Sequence, residues 1–439
     1  MAKIELKRRI QALIGAARGP VEVDGSLVFL VLVLAGLGVT IVYSVTLDDP
    51  RTHPLAYKQL AWVGLGIVGC VGSVMVDYRQ LVRCAYPIFV VVFLLLLLTI
   101  FLGARAKQAQ RWLAIPYVPF RIQPSEFAKL ALILVLSKVL GERRKPVEKL
   151  ADLWMPVLVL VPLAAVILTQ PDLGTTLVLF PITAGMIYAA GLSPFYFLFL
   201  VPLGLAGLRP VLVALRPQVS FGGLDLTWYW AGSFAVAVFF AWRRKLAKAD
   251  LAIMVIVSIA AYVAAPGLWG SLRPYQQNRV LAFLDPQADP MGASYQVRQA
   301  QIALGSGGFT GKGWASGTQS ALRFLPEYQT DFVYSALGEQ WGFLGAAGLL
   351  LLFLLLVLRG LAIGRDARWT EGVFLSLGIT LYFAVHVLIN VGICLGFLPV
   401  TGLPLCFISY GGSATLTNFI AVGLLLNVRL RRFVDRRPM

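Results

Sequence analysis

The stretch LDPQADPMGASY, at residues 284–295, places two carboxylates in a segment rich in proline and glycine. Asp285 and Asp289 each precede a proline, which restricts both aspartates to extended backbone conformations. Gly292 allows the chain to turn away soon after the second aspartate. A carboxylate held in this way can accept a proton as a general base, whereas two carboxylates flanking one bond are typical of glycosidases. The segment therefore indicates a site for acid–base chemistry.

These carboxylates lie in a chain that is otherwise strongly apolar. Of its 439 residues, 58% are hydrophobic and only 13% are charged, which is too few to solvate a water-soluble globular protein. We predict an all-α integral membrane protein, a polytopic bundle of about 12 transmembrane helices, each crossing a hydrocarbon core of ~30 Å. The predicted spans are 27–47, 59–76, 84–103, 125–140, 152–169, 173–190, 195–215, 227–242, 251–267, 332–358, 373–396 and 407–428.

The distribution of Lys and Arg predicts the orientation. Connections on one side of the membrane carry about twice as many Lys and Arg as those on the other, and positive connections stay in the cytoplasm. Both termini are therefore expected in the cytoplasm. The N-terminal basic segment, 1–26, is either an interfacial helix or a disordered tail, and residues 429–439 form a basic C-terminal tail. The first apolar run lacks a cleavage signal, so we expect it to remain as an anchor. The net charge of +17 is then explained by attraction of the cytoplasmic connections to anionic lipid, and binding of nucleic acid is not needed to explain it.

The longest connection, residues 268–331, lies on the predicted outer face. It keeps too many apolar residues for a disordered linker, so we expect it to fold down onto the membrane domain. Its middle, YQVRQAQIALG at 295–305, has the spacing of a short helix, and GSGGFTGKGWASG at 305–317 lets backbone amides approach a ligand closely. The sequence contains no internal repeat.

Charged side chains inside the predicted spans are the next candidates, since a charge within the membrane is costly. Glu126 and Lys129 in QPSEFAKLA are three residues apart and share one helix face. They could neutralise each other as a local ion pair, or Lys129 could bind an anionic ligand.

Further acidic residues stand at predicted helix starts. Asp172 in TQPDLGTT and Asp331 each precede a predicted helix, where a carboxylate can act as the N-cap. Glu339 lies eight residues after Asp331 and can face the same interior region. A polar seam on the last two predicted helices comprises Asn390, Ser409, Tyr410, Ser413, Thr415 and Asn418. All of these lie in the predicted outer half, which indicates a site open to the outer face and reached by a substrate held in the lipid.

Five blocks of the sequence closely resemble the SEDS family, named for shape, elongation, division and sporulation. The resemblance runs in order from about residue 27 to 432 and includes the block with the paired aspartates. GKGWASGTQS and these aspartates resemble the elongation branch, RodA, more than the division branch, FtsW. The blocks are RWLAIPYVPFRIQPSEFAKLALIL, TQPDLGTTLVLF, FLDPQADPMGASYQVRQAQIALGSGGFTGKGWASGTQS, FLPEYQTDFVYSALGEQWGFLG and LPVTGLPLCFISYGGSATLTNFIAVGLLLNV.

The resemblance implies a peptidoglycan glycosyltransferase that polymerises lipid II at the outer face of the bacterial inner membrane. It also implies a class B penicillin-binding protein as partner, which crosslinks the growing glycan strand. The family's essential acidic residue maps to Asp289, whereas the division branch commonly carries Asn at the position of Asp285. The family usually has ten helices, so the stretch 217–250 looks like an insertion that adds two.

The implied reaction needs one general base and cations that offset charge on a leaving diphosphate. Asp289 is the expected base, and Asp285, Asp172, Asp331 and Glu339 are expected to be structural. Candidate diphosphate or sugar contacts are Lys129, Arg111, Arg121, Arg279, Lys312, Glu126, Ser413 and Gln319.

The sequence leaves metal dependence open. A divalent cation could help the diphosphate leave, but the two histidines, His53 and His386, are far apart in the chain and no cluster of ligands fixes a metal. Two rival functions are a flippase for lipid-linked precursors and a scaffold that recruits an enzyme. A flippase needs a polar path through the membrane, which the one-sided polar distribution opposes.

Overall fold

The computed structural model describes residues 23–47, 50–102, 104–106, 109–114, 121–170, 172–215, 220–221, 224–272, 274–285, 293–318 and 328–433. Asp289 and Gln319, the N-terminal segment before residue 23 and the tail after residue 433 lie outside these ranges.

Helices form most of the described chain. The first eight are α1 Gly25–Thr46, α2 Pro54–Met75, α3 Tyr78–Arg83, α4 Ala85–Leu102, α5 Pro124–Gly141, α6 Trp154–Thr169, α7 Leu173–Ala189 and α8 Leu200–Leu215. The others are α9 Leu226–Arg243, α10 Lys248–Ser271, α11 Pro274–Leu284, α12 Ala293–Ser306, α13 Val333–Arg365, α14 Thr370–Cys394 and α15 Gly412–Leu430. Short 3₁₀ helices at Leu150–Leu153 and Pro194–Phe199 lead into α6 and α8.

The apolar runs of the sequence correspond to these helices because a membrane-spanning backbone must satisfy its hydrogen bonds internally. Within the described residues, nine helices are long and apolar enough to cross a membrane. α5, α7 and α9 coincide with the other three predicted spans, but they are shorter, less apolar or richer in charge. The all-α polytopic membrane fold is confirmed, and twelve crossings remain a prediction.

The centre of the bundle is formed by the last two helices. Of the most apolar 18-residue stretch of each helix, 72% is buried in α14 and 78% in α15, against 17% in α10. α15 packs on α2, where Gly66, Gly69 and Gly423 allow close approach, while α14 packs on α5, α7 and α13. Polar side chains on α14 and α15 are therefore enclosed by protein, whereas α10 faces the surroundings.

The stretch 217–250 contains one described helix, α9, and a two-stranded hairpin of β4 (Ser220–Phe221) and β5 (Leu224–Asp225). α9 and α10 both pack on α8. The second helix of any inserted pair would therefore have to be α8 or α10, and the insertion itself remains a prediction.

The connection between α4 and α5 contains an antiparallel sheet that the sequence analysis did not predict. β1 (Ala104–Ala106), β2 (Ala109–Ala114) and β3 (Arg121–Ile122) pair in that order. These strands are short and lack a long alternating pattern, which explains why they were missed. Arg111 and Arg121 belong to β2 and β3, so the sheet sets their positions.

Two predicted helix starts are wrong. The last helix begins at Gly412 instead of residue 407, because Phe407 has a φ of 64°, which lies outside the helical region. Ser409 and Tyr410 consequently lie in the preceding connection. Phe332, and not Asp331, is the N-cap of α13, and its side chain makes no cap hydrogen bond. The carbonyl of Asp331 instead accepts a hydrogen bond of 2.9 Å from the Asn390 amide.

Candidate active site

Asp172 organises a polar cluster at the start of α7. Its carboxylate accepts hydrogen bonds from the Thr175 amide (3.1 Å) and the Thr175 hydroxyl (2.9 Å), which is the geometry of an N-cap. It also accepts hydrogen bonds from Ser125 (3.0 Å) and from the Gln123 amide group (3.1 Å). The predicted cap is therefore present, and the same carboxylate joins the start of α7 to the start of α5.

Arg111 lies beside this cluster. Its Nε donates to the carbonyl of Gln170 at 3.1 Å, and its guanidinium is 3.7 Å from the Asp172 carboxylate. The Arg111 side chain remains 18% exposed, so it is partly accessible from outside the cluster. Ser413 holds the start of α5 by accepting a hydrogen bond of 3.0 Å from the Gln123 backbone amide, while Arg121 is exposed.

Lys129 lies in a second cluster, which is closed to solvent. Its Nζ is 2.8 Å from the Glu126 carboxylate, 3.2 Å from His386 Nε2 and 5.3 Å from the centre of the Tyr382 ring. Lys129 is 0% exposed and Glu126 3% exposed. The local ion pair considered from the sequence is present, and a diphosphate has no direct access to this ammonium in this conformation.

His386 fits this cluster as a neutral imidazole. Its Nδ1 lies 3.3 Å from the carbonyl of Pro404, so assigning the proton to Nδ1 leaves Nε2 to accept from the Lys129 ammonium. Tyr382, one turn earlier on α14, donates a hydrogen bond of 2.6 Å to Asn418 of α15. The cluster therefore joins α5, α14 and α15 through buried polar contacts.

A third cluster surrounds a break in α13 at Gly342, which has a φ of 63° and non-helical backbone. The segment 307–313 packs against this break through four backbone hydrogen bonds. The amides of Lys312 and Gly313 donate to the carbonyls of Glu339 and Gln340, both at 3.0 Å. In the other direction, the amides of Phe343 and Leu344 donate to the carbonyls of residues 308 (2.9 Å) and 309 (3.2 Å).

This docking brings Lys312 to Glu339. The Lys312 ammonium is 2.7 Å from the Glu339 carboxylate, and Thr318 contacts both groups, at 2.8 Å and 3.0 Å. Glu339 is fully buried, whereas the Lys312 side chain is 26% exposed. Gln340 extends the cluster to α1 by accepting a hydrogen bond of 2.9 Å from Ser44. Lys312 is thus a fixed cation that remains accessible.

The close approach of the 307–313 segment to α13 gives a test by substitution. A Cβ at Gly307 would clash with the carbonyl oxygen of Gly338, which is backbone and cannot rotate away as a side chain could. We expect Gly307→Ala to displace the segment, at a cost of about 1–3 kcal/mol, and to make it sensitive to limited proteolysis. Gly305→Ala is the matched control, because nothing lies within 4 Å of its Cβ. Equal proteolysis of the two variants would contradict the docking.

Of the two aspartates in LDPQADPMGASY, Asp285 is among the described residues and Asp289 is not. Asp285 follows α11 directly, is partly buried, and donates its backbone amide to the carbonyl of Leu281 at 2.8 Å. Arg279 lies on α11 and is also partly buried. Asp289 lies in 286–292, outside the described residues, but its flanking helices α11 and α12 pack against each other, and α12 packs against α13.

Sequence reasoning missed His386, Tyr382 and Thr318 as members of these clusters. A histidine within a predicted span was a sufficient signal, because ionisable residues in membrane helices are functional candidates by default. Within the described part of the chain, no group of three His, Cys, Asp or Glu side chains could hold a metal ion.

A family model described as "cell cycle protein", FTSW_RODA_SPOVE, matches residues 25–221 and 223–432. The probable peptidoglycan glycosyltransferase FtsW of Trichlorobacter lovleyi is 32% identical to this chain over 415 residues, which cover 93% of each. The peptidoglycan glycosyltransferase RodA of Treponema pallidum is 33% identical over 436 residues, covering 94% of this chain and 99% of the relative. These identities do not separate the two branches.

Solved structures show the same fold. A chain of a peptidoglycan synthase complex, solved in a study of how polymerization and crosslinking are coordinated, aligns with a TM-score of 0.68 at 29% identity. The alignment covers 94% of this chain and 99% of that chain. The rod shape determining protein RodA of Thermus thermophilus aligns with a TM-score of 0.60 at 26% identity, covering 94% of this chain and 98% of that chain.

Proposed function

This chain belongs to the family of cell cycle proteins that includes FtsW, RodA and SpoVE, and we propose that it polymerises lipid II into the glycan strands of peptidoglycan. The observation that carries the proposal is the similarity over more than nine-tenths of the chain to proteins named peptidoglycan glycosyltransferases. The polar clusters around Arg111 and Lys312 support it, because they provide partly exposed cations at one end of the bundle.

The reaction needs one proton acceptor and stabilisation of the leaving group. A sugar hydroxyl of one molecule attacks the anomeric carbon of the other, so a carbon–oxygen bond forms as the bond to the lipid diphosphate breaks. Asp289 accepts the hydroxyl proton as general base. Cations near the diphosphate offset the charge that grows on it as it leaves.

Arg111 and Lys312 are the preferred diphosphate contacts. Arg111 is partly exposed beside the Asp172 cluster, and a guanidinium is well matched to phosphate. Lys312 directs two of its three ammonium donors to Thr318 and Glu339, so within the described part of the chain the third is available to a ligand. Lys129 fits a structural role better, since its ammonium is fully buried and engaged by Glu126 and His386. Arg121, Arg279, Ser413 and Gln319 remain candidates for sugar or diphosphate contacts.

Polymerisation of labelled lipid II by the purified protein in detergent tests this function. Detergent micelles have no second leaflet, so a flippase would produce nothing measurable, and a scaffold would give no glycan chains without its enzyme. We expect glycan chains, which lengthen or become more numerous when a class B penicillin-binding protein is added. A pure protein that binds the partner but makes no glycan would support the scaffold instead.

We assign the class B transpeptidase as partner because the similar solved chain comes from a complex that coordinates polymerization with crosslinking. The elongation branch is the preferred role on the basis of GKGWASGTQS.

We place the clusters on the periplasmic side of the bacterial inner membrane, because the connections at the opposite end are the basic ones. Ser316 is exposed at the end that carries the clusters, and Lys248 is exposed at the other. In a background without native cysteines, Ser316→Cys should react with a membrane-impermeant thiol reagent added from outside, and Lys248→Cys should not. Restoring the exposed native Cys84 gives a second unreactive control. Labelling at Lys248→Cys alone would invert the orientation.

A further inference from the structure

A polar group lies between α8, α9 and α10, away from the clusters described above. The guanidinium of Arg209, on α8, stacks over the ring of Tyr262, on α10, at 4.8 Å from the ring centre. The Tyr262 hydroxyl is 3.0 Å from the hydroxyl of Thr227, on α9. The ring of Trp230, also on α9, lies 4.4 Å from the Tyr262 ring.

These residues lie towards the end of the bundle that carries the candidate active site. Thr227 is in the first turn of α9, and Tyr262 is in the second half of α10. Arg209 is six residues before the end of α8, about 9 Å along the helix axis. Arg209 therefore belongs to an apolar span, where an arginine needs a compensating partner.

The group has donors that lack acceptors. No described carboxylate forms an ion pair with Arg209, whose guanidinium instead lies over the face of the Tyr262 ring. The indole Nε1 of Trp230 is buried without a hydrogen-bond acceptor among the described residues.

We propose that α8, α9 and α10 bind the phosphate group of a membrane lipid in the leaflet at the candidate-site end. A phosphate supplies the negative charge and the acceptor oxygens that Arg209 and Trp230 lack, and guanidinium is well matched to phosphate geometry. A lipid can arrive laterally, because α9 and α10 expose large apolar side chains such as Phe239 (53%), Ile256 (64%) and Val263 (72%). The proposal does not depend on the catalytic function.

Lipid titrations of the purified protein in detergent, followed by native mass spectrometry, test this site. The probes are phosphatidylglycerol, undecaprenyl phosphate and, as a lipid without phosphate, diacylglycerol. Arg209→Gln should weaken binding of the phosphate lipids by about 10- to 100-fold, the loss expected for a hydrogen bond to a charged group, without changing diacylglycerol binding. Arg209→Lys should lose less, because it retains the charge without the planar fork.

Arg244→Gln is the matched control. Arg244 stacks over Phe195 at 4.6 Å in the same way, but it lies just beyond the opposite end of α9, so its removal should leave these affinities unchanged. Trp230→Phe removes the buried donor and keeps an aromatic ring against Tyr262, and a several-fold loss is expected even if Arg209→Gln folds poorly.

The probe that responds identifies the source of the phosphate. Weakening of both phosphate lipids supports a general phosphate site, and weakening of one alone supports the site with that lipid as its occupant. Unchanged affinity in both Arg209→Gln and Trp230→Phe would overturn the proposal.

Discussion

Asp289→Asn is expected to lose lipid II polymerisation by about 10²–10⁴-fold, the usual contribution of a general base. Asparagine has nearly the size of aspartate but cannot accept the hydroxyl proton. Folding and partner binding should persist, because the exchange removes neither volume nor hydrogen-bonding capacity. The measurement is the yield and length of glycan chains made by the purified variant, together with its elution as a folded complex with the class B protein.

Asp285→Asn is the matched control, four residues away in the same segment. The backbone of Asp285 already completes a turn of α11 through its hydrogen bond to Leu281, and this bond does not need the carboxylate. We therefore expect a much smaller loss of polymerisation. A dead Asp285→Asn with a fully active Asp289→Asn would reverse the assignment of the base, without questioning that the protein is a polymerase.

Lys129→Ala is expected to destabilise the protein by about 3–5 kcal/mol, because it leaves the buried Glu126 carboxylate without its cation. It also removes the ammonium that contacts His386 Nε2. Polymerisation should fall with the loss of folded protein. Thermal unfolding in detergent measures the loss of stability. Glycan yield per folded molecule shows whether activity falls beyond what the loss of folded protein explains.

The variant Glu126→Gln with Lys129→Met separates a structural role from a chemical one. It removes both charges at nearly constant volume, so it should recover most of the stability that Lys129→Ala loses. We expect activity per folded molecule to return with it, since the buried ammonium has no direct access to a diphosphate. A stable double variant without activity would return Lys129 to the list of substrate contacts.

Hydropathy predicted the bundle because a backbone in lipid must be helical and long enough to cross. The short helix at 295–305 was also predicted, and it is found as α12, Ala293–Ser306. The break at Gly342 was not predicted, because a single glycine is tolerated in membrane helices and a long apolar run continues beyond it. It depends on the 307–313 segment, which satisfies the backbone groups that the break exposes.

The contents of the polar clusters were predicted less well than the helices. The pair of Glu126 and Lys129, three residues apart, and the cap at Asp172, at a helix start, are local features. Sequence spacing was therefore sufficient to predict them. Lys129 and His386 are 257 residues apart, and only the packing of α5 on α14 brings them together. Lys312 and Glu339 likewise meet only because the loop docks on α13.

The four backbone hydrogen bonds across the break at Gly342 run in both directions, two donated by the loop and two by α13. The two pairs lie on opposite sides of the same glycine, so undocking of the loop breaks all four hydrogen bonds. The loop and the end of the helix must therefore open and close as one cooperative unit. Their amides will exchange with solvent deuterium together, in a single kinetic phase that is distinct from the fraying of α12.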